Sequence, residues 1–536
     1  MGIISQTIVA TNNQASLFCK AFHLFTFETR HPMKRVLPFL LPIAALCAPL
    51  QAAPNFLVIT ADDLNCDSVG VFGCALPDTT PHIDALAAEG IRYDQAHVAS
   101  TACMPSRNAI NTGRFPHRSG GEGFQHLRFP DVPTIPATLH DAGYFVAILG
   151  KVPHSTPYPN TPWDFAEEIG RNTEQFYSKS KGVIETAQAA GKPFYLIVNS
   201  HDPHRPYFNH KNAGKEPTSR KGKLPNSEPS RVFMPDEVLI PADFPDHPEI
   251  RKELADYFSS VRRCDDVVGR LIDLVDDLDI ANETIVMFLS DHGMATPTSK
   301  SNAYQDSTRT PLIIRWPGKI PAGILYDQSY VSALDIFPTL LDAAQITNPG
   351  GMDGVSLLPT FEGAELPGRD TWNTAFYATI ARNHFNMRTR HDGRFSYTFN
   401  PFYTGEPAYR SSALGGRVFQ TMYEVGQTDP KWKARAEFIV TRTPEELYDL
   451  EKDPKCLNNL IDNPEHAGLI DEHRAAMQAW MRRTQDPIIQ TYETYLEAFS
   501  AEAMQAIYPG NVEAAGLIGK APKSFDITQS KFAAKK

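Results

Sequence analysis

The stretch Asn55–Asp63 reads NFLVITADD, an apolar run that ends in two adjacent carboxylates. A continuous apolar run of strand length predicts a strand over Phe56–Thr60 that is buried on both faces. Similar runs follow at Tyr144–Leu149, Phe194–Val198 and Thr284–Leu289, with helical patterns between them. This alternation predicts an α/β fold in which a mainly parallel central sheet is sandwiched by helices. Polar residues that follow the strands then lie together at the carboxyl edge of the sheet.

The chain is predicted to contain two structural units and a tail. Residues 54–370 carry the strand and helix alternation and form the larger N-terminal domain. Residues 371–510 are richer in aromatic residues and turns, which predicts a smaller C-terminal α+β subdomain with an antiparallel sheet and helices. The Lys-rich end, residues 511–536, is predicted to be a flexible tail.

The N-terminal segment, residues 1–53, has the pattern of an export signal behind a mis-assigned start. Lys34 and Arg35 follow Met33 and precede an apolar run over Val36–Leu50, which is followed by the small residues Ala52 and Ala53. This pattern predicts export to the periplasm or medium after cleavage near Ala52. A short membrane anchor is the alternative interpretation.

Composition restricts the partners. The 536 residues have a formal net charge of −11 at pH 7, which argues against nucleic acid as a partner. An anionic ligand would therefore need a locally basic pocket. Cys66 and Cys74 are close enough in sequence to form a loop disulfide after export, but spacing alone does not establish the bond. Composition leaves the oligomeric state open.

The stretch Cys103–Arg114 reads CMPSRNAINTGR. Ser106–Thr112 has the composition of a short helix that ends at Gly113, with Pro105 tolerated near its start. Cys103 is therefore predicted at a helix N-terminus, where unpaired backbone N–H groups favour an anion.

Two kinds of charged residue follow the predicted strands. The first kind offers metal ligands, mostly oxygen, that favour calcium or magnesium over zinc: Asp62, Asp63, Asp291 and His292. The second kind is cationic or able to donate a proton: Lys151, His154, His201 and Lys300. Such groups could hold an anion as negative charge builds on it and protonate a leaving group.

Together these motifs make the chain resemble the type I sulfatases of the alkaline-phosphatase superfamily over nearly all of its sequence after the leader. The resemblance rests on Ile59–Asp63, Thr80–Asp84, the C-x-P-S-R-x-x-x-x-T-G-R pattern from Cys103, Gly150-Lys151, Ser290–Gly293 and Glu446–Leu450. It implies that a maturation enzyme oxidises Cys103 to formylglycine, the nucleophile, and that Arg107 steadies it. It also implies that Asp62, Asp63, Asp291 and His292 bind Ca²⁺.

By the same resemblance, Lys151 and His154 contact the nucleophile and sulfate, His201 assists the leaving group, and Lys300 binds a sulfate oxygen. Two positions depart from the commonest pattern of the family. Asn is usual where this chain has His292, and two residues rather than one separate Lys151 from His154. The fourth metal ligand and the role of His154 are the roles that these departures affect.

The resemblance is greatest to the heparan N-sulfatases, which implies a sulfated saccharide substrate, with N-sulfoglucosamine at a non-reducing end as the candidate. A polar run in the second subdomain could contact the sugar through His384, Arg388 and Arg390. The alternatives are an O-sulfatase acting on iduronate 2-sulfate or a marine polysaccharide, and a phosphate or phosphonate ester hydrolase of the same superfamily. A catalytically silent glycan-binding protein is a further alternative.

Overall fold

The fold is described from a computed structural model, which covers residues 53–209 and 226–516. The predicted export signal and the end of the predicted tail lie outside these residues. Within them, no helix is both long and apolar enough to cross a membrane.

The described residues contain the strands β1 Asn55–Asp62, β2 Ile91–Tyr93, β3 Ala96–His97, β4 Phe145–Leu149, β5 Phe165–Glu167, β6 Phe194–Pro203, β7 Thr284–Ser290, β8 Ile313–Arg315, β9 Ile324–Tyr326, β10 Val331–Ser332, β11 Trp372–Ala378, β12 His384–His391, β13 Phe395–Phe399 and β14 Glu445–Asp449. Eight of them form one sheet in the order β5-β4-β6-β1-β7-β8-β2-β9. Only β8 runs antiparallel to its neighbours in this sheet, so the predicted mainly parallel sheet is confirmed.

The α-helices of the same residues are α1 Pro81–Ala88, α2 Cys103–Thr112, α3 Pro116–Ser119, α4 Ile135–Asp141, α5 Val152–Ser155, α6 Thr173–Ala189, α7 Pro248–Asp277, α8 Gln305–Thr308, α9 Ile336–Ala343, α10 Arg417–Val425, α11 Pro430–Thr441, α12 Ala467–Arg483, α13 Ile489–Ala498 and α14 Ala501–Ala514. Helix α14 extends past residue 511, so the first residues of the predicted tail are helical.

Both faces of the large sheet are covered, because side chains along β1 alternate between two cores. Leu57 and Ile59 pack in one core with residues of α6 and α7, whereas Phe56 and Val58 pack in the other with residues of α4 and α9. Alternation along a strand places successive side chains on opposite faces, so a run that is apolar throughout fits a strand buried on both sides.

The second sheet is antiparallel, in the order β11-β12-β13-β14. It lies in the predicted C-terminal subdomain and confirms that part of the fold class. The helices α12, α13 and α14 follow this sheet along the chain. All five described cysteines are unpaired, including Cys66 and Cys74.

Candidate active site

The carboxyl ends of β1 and β7 bring three carboxylates together. Asp62 ends β1, Asp63 follows it, and Asp291 follows β7, which pairs with β1 in parallel. The Asp63 backbone N–H donates to Asp291 Oδ1 at 3.1 Å. All three carboxylates are completely buried. Parallel neighbours end at one edge, so the predicted convergence of these residues is present.

Cys103 is the first residue of α2 and faces this cluster. Its Sγ lies 3.6 Å from Asp62 Oδ1 and 4.0 Å from Asp63 Oδ1, and its side chain is buried. Ala102, the N-cap residue, makes no side-chain capping bond, so it leaves the first backbone N–H groups of the helix without a capping acceptor. Gly113 ends the helix with φ 61, as the sequence predicts.

Arg107 lies one turn after Cys103 and is buried beneath the cluster. Its Nε donates to Asp291 Oδ2 at 3.1 Å, and its guanidinium also donates to Thr60 and Asn199. These bonds tie α2 to the ends of β1, β6 and β7. Arg107 therefore fixes the position of the helix start relative to the carboxylates.

Two buried lysines pair with the carboxylates. Lys151 forms an ion pair with Asp62, and Lys300 Nζ donates to Asp63 at 2.6 and 2.8 Å. Burial acts to raise the pKa of Asp62, but Lys151 and other cations outweigh it and hold this pKa well below its usual range. Burial raises the pKa of Asp63 to about 7 although Lys300 opposes the rise.

His292 has the geometry of a metal ligand. Its Nδ1 lies 2.9 Å from the Gly293 carbonyl oxygen, which can only accept, so Nδ1 carries the proton. Its buried Nε2 has no hydrogen-bond partner and faces Asp63 at 3.6 Å and Asp291 at 3.9 Å. Burial disfavours the imidazolium, yet Asp291 and other anionic neighbours raise the pKa of His292 to about 9.

The lone pair of Nε2 and the two carboxylates would repel one another unless a positive charge lies between the nitrogen and the carboxylate oxygens. That charge can be a proton or a metal ion, and three carboxylates with one imidazole suit a hard divalent cation. Ligand atoms of Asp62, Asp63, Cys103 and His204 lie within 4.8 Å of one another, as do those of Cys103, Asp291 and His292. The two sets share Cys103, and their carboxylate and imidazole donors are of the kind that a hard divalent cation such as calcium or magnesium takes.

Two further predicted site residues are histidines. Burial, then Lys151, lowers the pKa of His154 to about 4, and its buried Nδ1 has no hydrogen-bond partner. His201 lies within β6, which continues to Pro203 rather than ending near Val198, and its Nε2 is 2.9 Å from Glu168 Oε1. The neutral imidazole that this pKa gives His154 can accept a proton.

Sequence reasoning missed two residues of the site. Glu168 accepts hydrogen bonds from the backbone N–H groups of Lys151 and Val152, and it also contacts His201. It therefore joins the start of α5 to β6. His204 Nε2 lies 3.8 Å from Asp63 Oδ2, and burial, then Lys300, holds the pKa of His204 well below its usual range. The His-Asp-Pro-His stretch was a signal for His204, whereas Glu168 follows an ordinary short strand.

The three residues predicted to contact the sugar have different surroundings. Arg388 is completely buried and forms a bidentate ion pair with Asp486 at 2.6 and 3.0 Å, so the prediction of substrate contact does not fit its placement. Arg390 lies near Asp392 and Tyr330, and burial lowers its pKa. His384 is buried and lines a narrow cleft with Glu122 and Phe124.

The profile of the sulfatase family matches residues 54–346 of this chain. The profile of the N-sulphoglucosamine sulphohydrolase C-terminal region matches residues 293–401. The chain belongs to the sulfatase family, and the protein is a hydrolase of sulfuric esters or sulfamates.

Two curated relatives are similar over most of the chain. Human N-sulphoglucosamine sulphohydrolase is 29% identical over 502 residues, which cover 85% of this chain and 97% of the relative. An ulvan-active sulfatase of Formosa agariphila is 25% identical over 481 residues, covering 81% of this chain and 75% of the relative.

Solved structures share the fold at lower identity. A structure in complex with its substrate D-glucosamine-2-N,6-O-disulfate superposes with a TM-score of 0.59 at 20% identity, covering 81% of this chain and 98% of that one. The phosphonate monoester hydrolase of Agrobacterium radiobacter superposes with a TM-score of 0.57 at 20% identity, covering 80% and 96%.

Proposed function

We propose that the enzyme removes sulfate from a sulfated saccharide, with N-sulfated glucosamine as the first candidate substrate. The observation that carries the reaction is Cys103 at a helix N-terminus, 3.6 Å from Asp62 and enclosed by buried carboxylates and lysines. The 97% coverage of human N-sulphoglucosamine sulphohydrolase supports the choice of sugar.

Two groups complete the proposed site. Ca²⁺, held by Asp62, Asp63, Asp291 and His292, would supply positive charge for sulfate oxygens, and formylglycine, made from Cys103 by a maturation enzyme, would supply a hydroxyl nucleophile once hydrated. The buried carboxylates offer oxygen ligands to such an ion. Because the proton of His292 is on Nδ1, its Nε2 is the atom that can coordinate.

The remaining side chains hold the anion and move protons. Lys151 and Lys300 place two ammonium groups beside Cys103, where they stabilise negative charge that grows on sulfate oxygens in the transition state. Arg107 keeps the nucleophile in position from below. His201, oriented by Glu168 at 2.9 Å, donates a proton to the departing nitrogen or oxygen, and His154 is available as an acceptor.

A substrate panel tests this proposal. The enzyme, produced with its maturation enzyme and purified, would be assayed on N-sulfated glucosamine, O-sulfated saccharides and phosphate and phosphonate esters. Highest kcat/KM on N-sulfated glucosamine supports the proposal. Preference for an O-sulfated saccharide would replace the sugar assignment, and preference for a phosphorus ester would refute the reaction class.

We further propose that the mature protein is exported and begins after Ala52. The support is the basic and apolar pattern from Met33 to Leu50. N-terminal sequencing of the protein from its natural host tests cleavage at this position. An N-terminus upstream of Met33 in the mature protein would contradict it.

A further inference from the structure

One buried carboxylate near the active site is half unpaired. Glu122 is 3% exposed, and its Oε1 accepts from Arg128 at 2.7 Å. Its Oε2 is buried and has no hydrogen-bond partner. An unpaired buried carboxylate oxygen is costly, so its presence calls for a donor that reaches it.

Glu122 lines a narrow cleft between two segments. One wall is the loop that contains Glu122, Phe124 and Arg128, and the other is the turn and start of β12, with Thr379, Arg382 and His384. The cleft leaves room for a group about the size of one water molecule. A single hydroxyl group therefore fits, whereas a whole sugar ring does not.

The cleft lies next to the proposed active site. The Phe124 ring contacts the His154 ring edge-on, with centroids 5.8 Å apart. The loop also packs on α2, because Asn108 Nδ2 donates to the Gln125 carbonyl oxygen at 3.3 Å and a Cβ at Gly121 would lie 2.9 Å from Asn108. The wall of the cleft therefore borders the proposed site through Phe124 and α2.

We infer that this cleft is a saccharide subsite in which Glu122 accepts a hydrogen bond from a sugar hydroxyl and Phe124 packs against the ring that carries it. Carboxylates with an adjacent aromatic ring suit a sugar, which offers O–H donors at its edge and C–H groups on its face. This inference rests on the proposed function, because it identifies the residues that select the saccharide part of the substrate.

The test compares Glu122→Gln with Glu167→Gln on two substrates. The first variant keeps the shape of the side chain but lets an amide replace the free carboxylate oxygen. The second alters a glutamate that pairs with Lys179 on α6 at 2.9 Å. We expect Glu122→Gln to lower kcat/KM on a sulfated disaccharide by about 10-fold to 100-fold, mainly through KM. Activity on 4-nitrophenyl sulfate and all activities of Glu167→Gln should stay within about 2-fold of wild type.

Two kinetic outcomes would overturn the inference. Equal losses on the disaccharide and on 4-nitrophenyl sulfate would show that Glu122 only supports α2. Unchanged kinetics on both substrates would show that an ordered water alone occupies the cleft. Phe124→Leu provides a second variant with the same expected pattern, should Glu122→Gln fail to fold.

A binding measurement separates this inference from the proposed function. Binding of the desulfated disaccharide, followed by saturation-transfer NMR, requires no turnover. If wild type binds it and Glu122→Gln binds at least about 10-fold more weakly, the subsite stands even when no sulfatase activity is found. Equal binding by both proteins refutes the subsite whatever the activity.

Discussion

Two regions of this molecule carry buried charged residues, and the contrast between them shows where function resides. At the carboxyl edge of the large sheet, Asp62, Asp63 and Asp291 follow strand ends and face Cys103. In the second sheet, Arg388 lies in the middle of β12 and is paired with Asp486. Both sets are completely buried, yet only the first faces a reactive side chain, whereas Arg388 and Asp486 face one another.

The difference has a physical reason. Carboxylates at a sheet edge are followed by loops, so ligands can approach, and here two lysines balance their charge. An arginine in the middle of a strand is held by backbone hydrogen bonds to the strands on both sides, and its guanidinium donates to groups inside the protein. Arg388 donates to Asp486 and to the carbonyl oxygens of Phe376 and Met387, so it stabilises the sheet. The two regions should therefore respond differently to mutation.

The largest effect is expected at Cys103. Cys103→Ala should reduce turnover at least about 1,000-fold, because it removes the nucleophile while leaving α2 in place. Cys264→Ala is the control, since Cys264 is buried in α7 and lies outside the cluster; it should retain activity and lose about 1 kcal/mol of stability. Assays of sulfate release and thermal unfolding measure both. Full activity in Cys103→Ala would identify a different nucleophile.

The next effect concerns the cationic side of the cluster. Lys300→Ala should lower kcat about 100-fold to 1,000-fold, because one charge that stabilises the transition state is lost. Lys179→Ala alters a lysine in a partly exposed ion pair with Glu167 and should change kcat by less than about 2-fold. Steady-state kinetics on the same sulfated substrate distinguish the two. Equal kcat values in both variants would remove Lys300 from the site.

In the second sheet the expected effect is on stability. Arg388→Met should lower the free energy of unfolding by about 3–5 kcal/mol, because it leaves Asp486 buried without its partner. The double variant with Asp486→Leu should recover most of this loss. Chemical denaturation measures the stabilities, and kcat/KM of the folded fraction should stay near wild type. A substrate-specific rise in KM would restore Arg388 as a sugar contact.

The smallest effect is a change in pH dependence. Burial lowers the pKa of His391 from the ordinary 6.5 to about 4, so the unfolded chain binds a proton first as the pH falls. The contribution of His391 to stability is thus present above pH 6.5 and is lost as the pH falls to about 4. Between pH 6.5 and about 4, the free energy of unfolding of His391→Asn should fall by roughly 1–3 kcal/mol less than that of wild type. Parallel curves of unfolding free energy against pH would contradict the assignment.

Much of the site was predictable because its residues sit at the ends of strongly apolar strands. The strand ending at Asp62, the strand ending before Asp291 and the helix from Cys103 to Gly113 are each set by local sequence. The resemblance to sulfatases added roles to these positions. Their convergence followed from the parallel arrangement, which requires no long-range information beyond the alternation of strands and helices.

The remainder depends on contacts that local sequence does not encode. Glu168 and Glu122 follow no motif, and their contacts with His201 and Arg128 appear only in the folded chain. The basic run of β12 resembles a binding surface in sequence, but its burial depends on Asp486, 98 residues from Arg388. The antiparallel direction of β8 was also missed, since its three residues give a weak strand pattern.

The most direct test of the central claim is the mass of the peptide containing residue 103, taken from active enzyme purified from its natural host. We expect the CH₂SH side chain to have been converted to an aldehyde and the converted fraction to track specific activity among preparations. Fully active enzyme in which this peptide carries an unmodified cysteine would rule out a formylglycine nucleophile at residue 103.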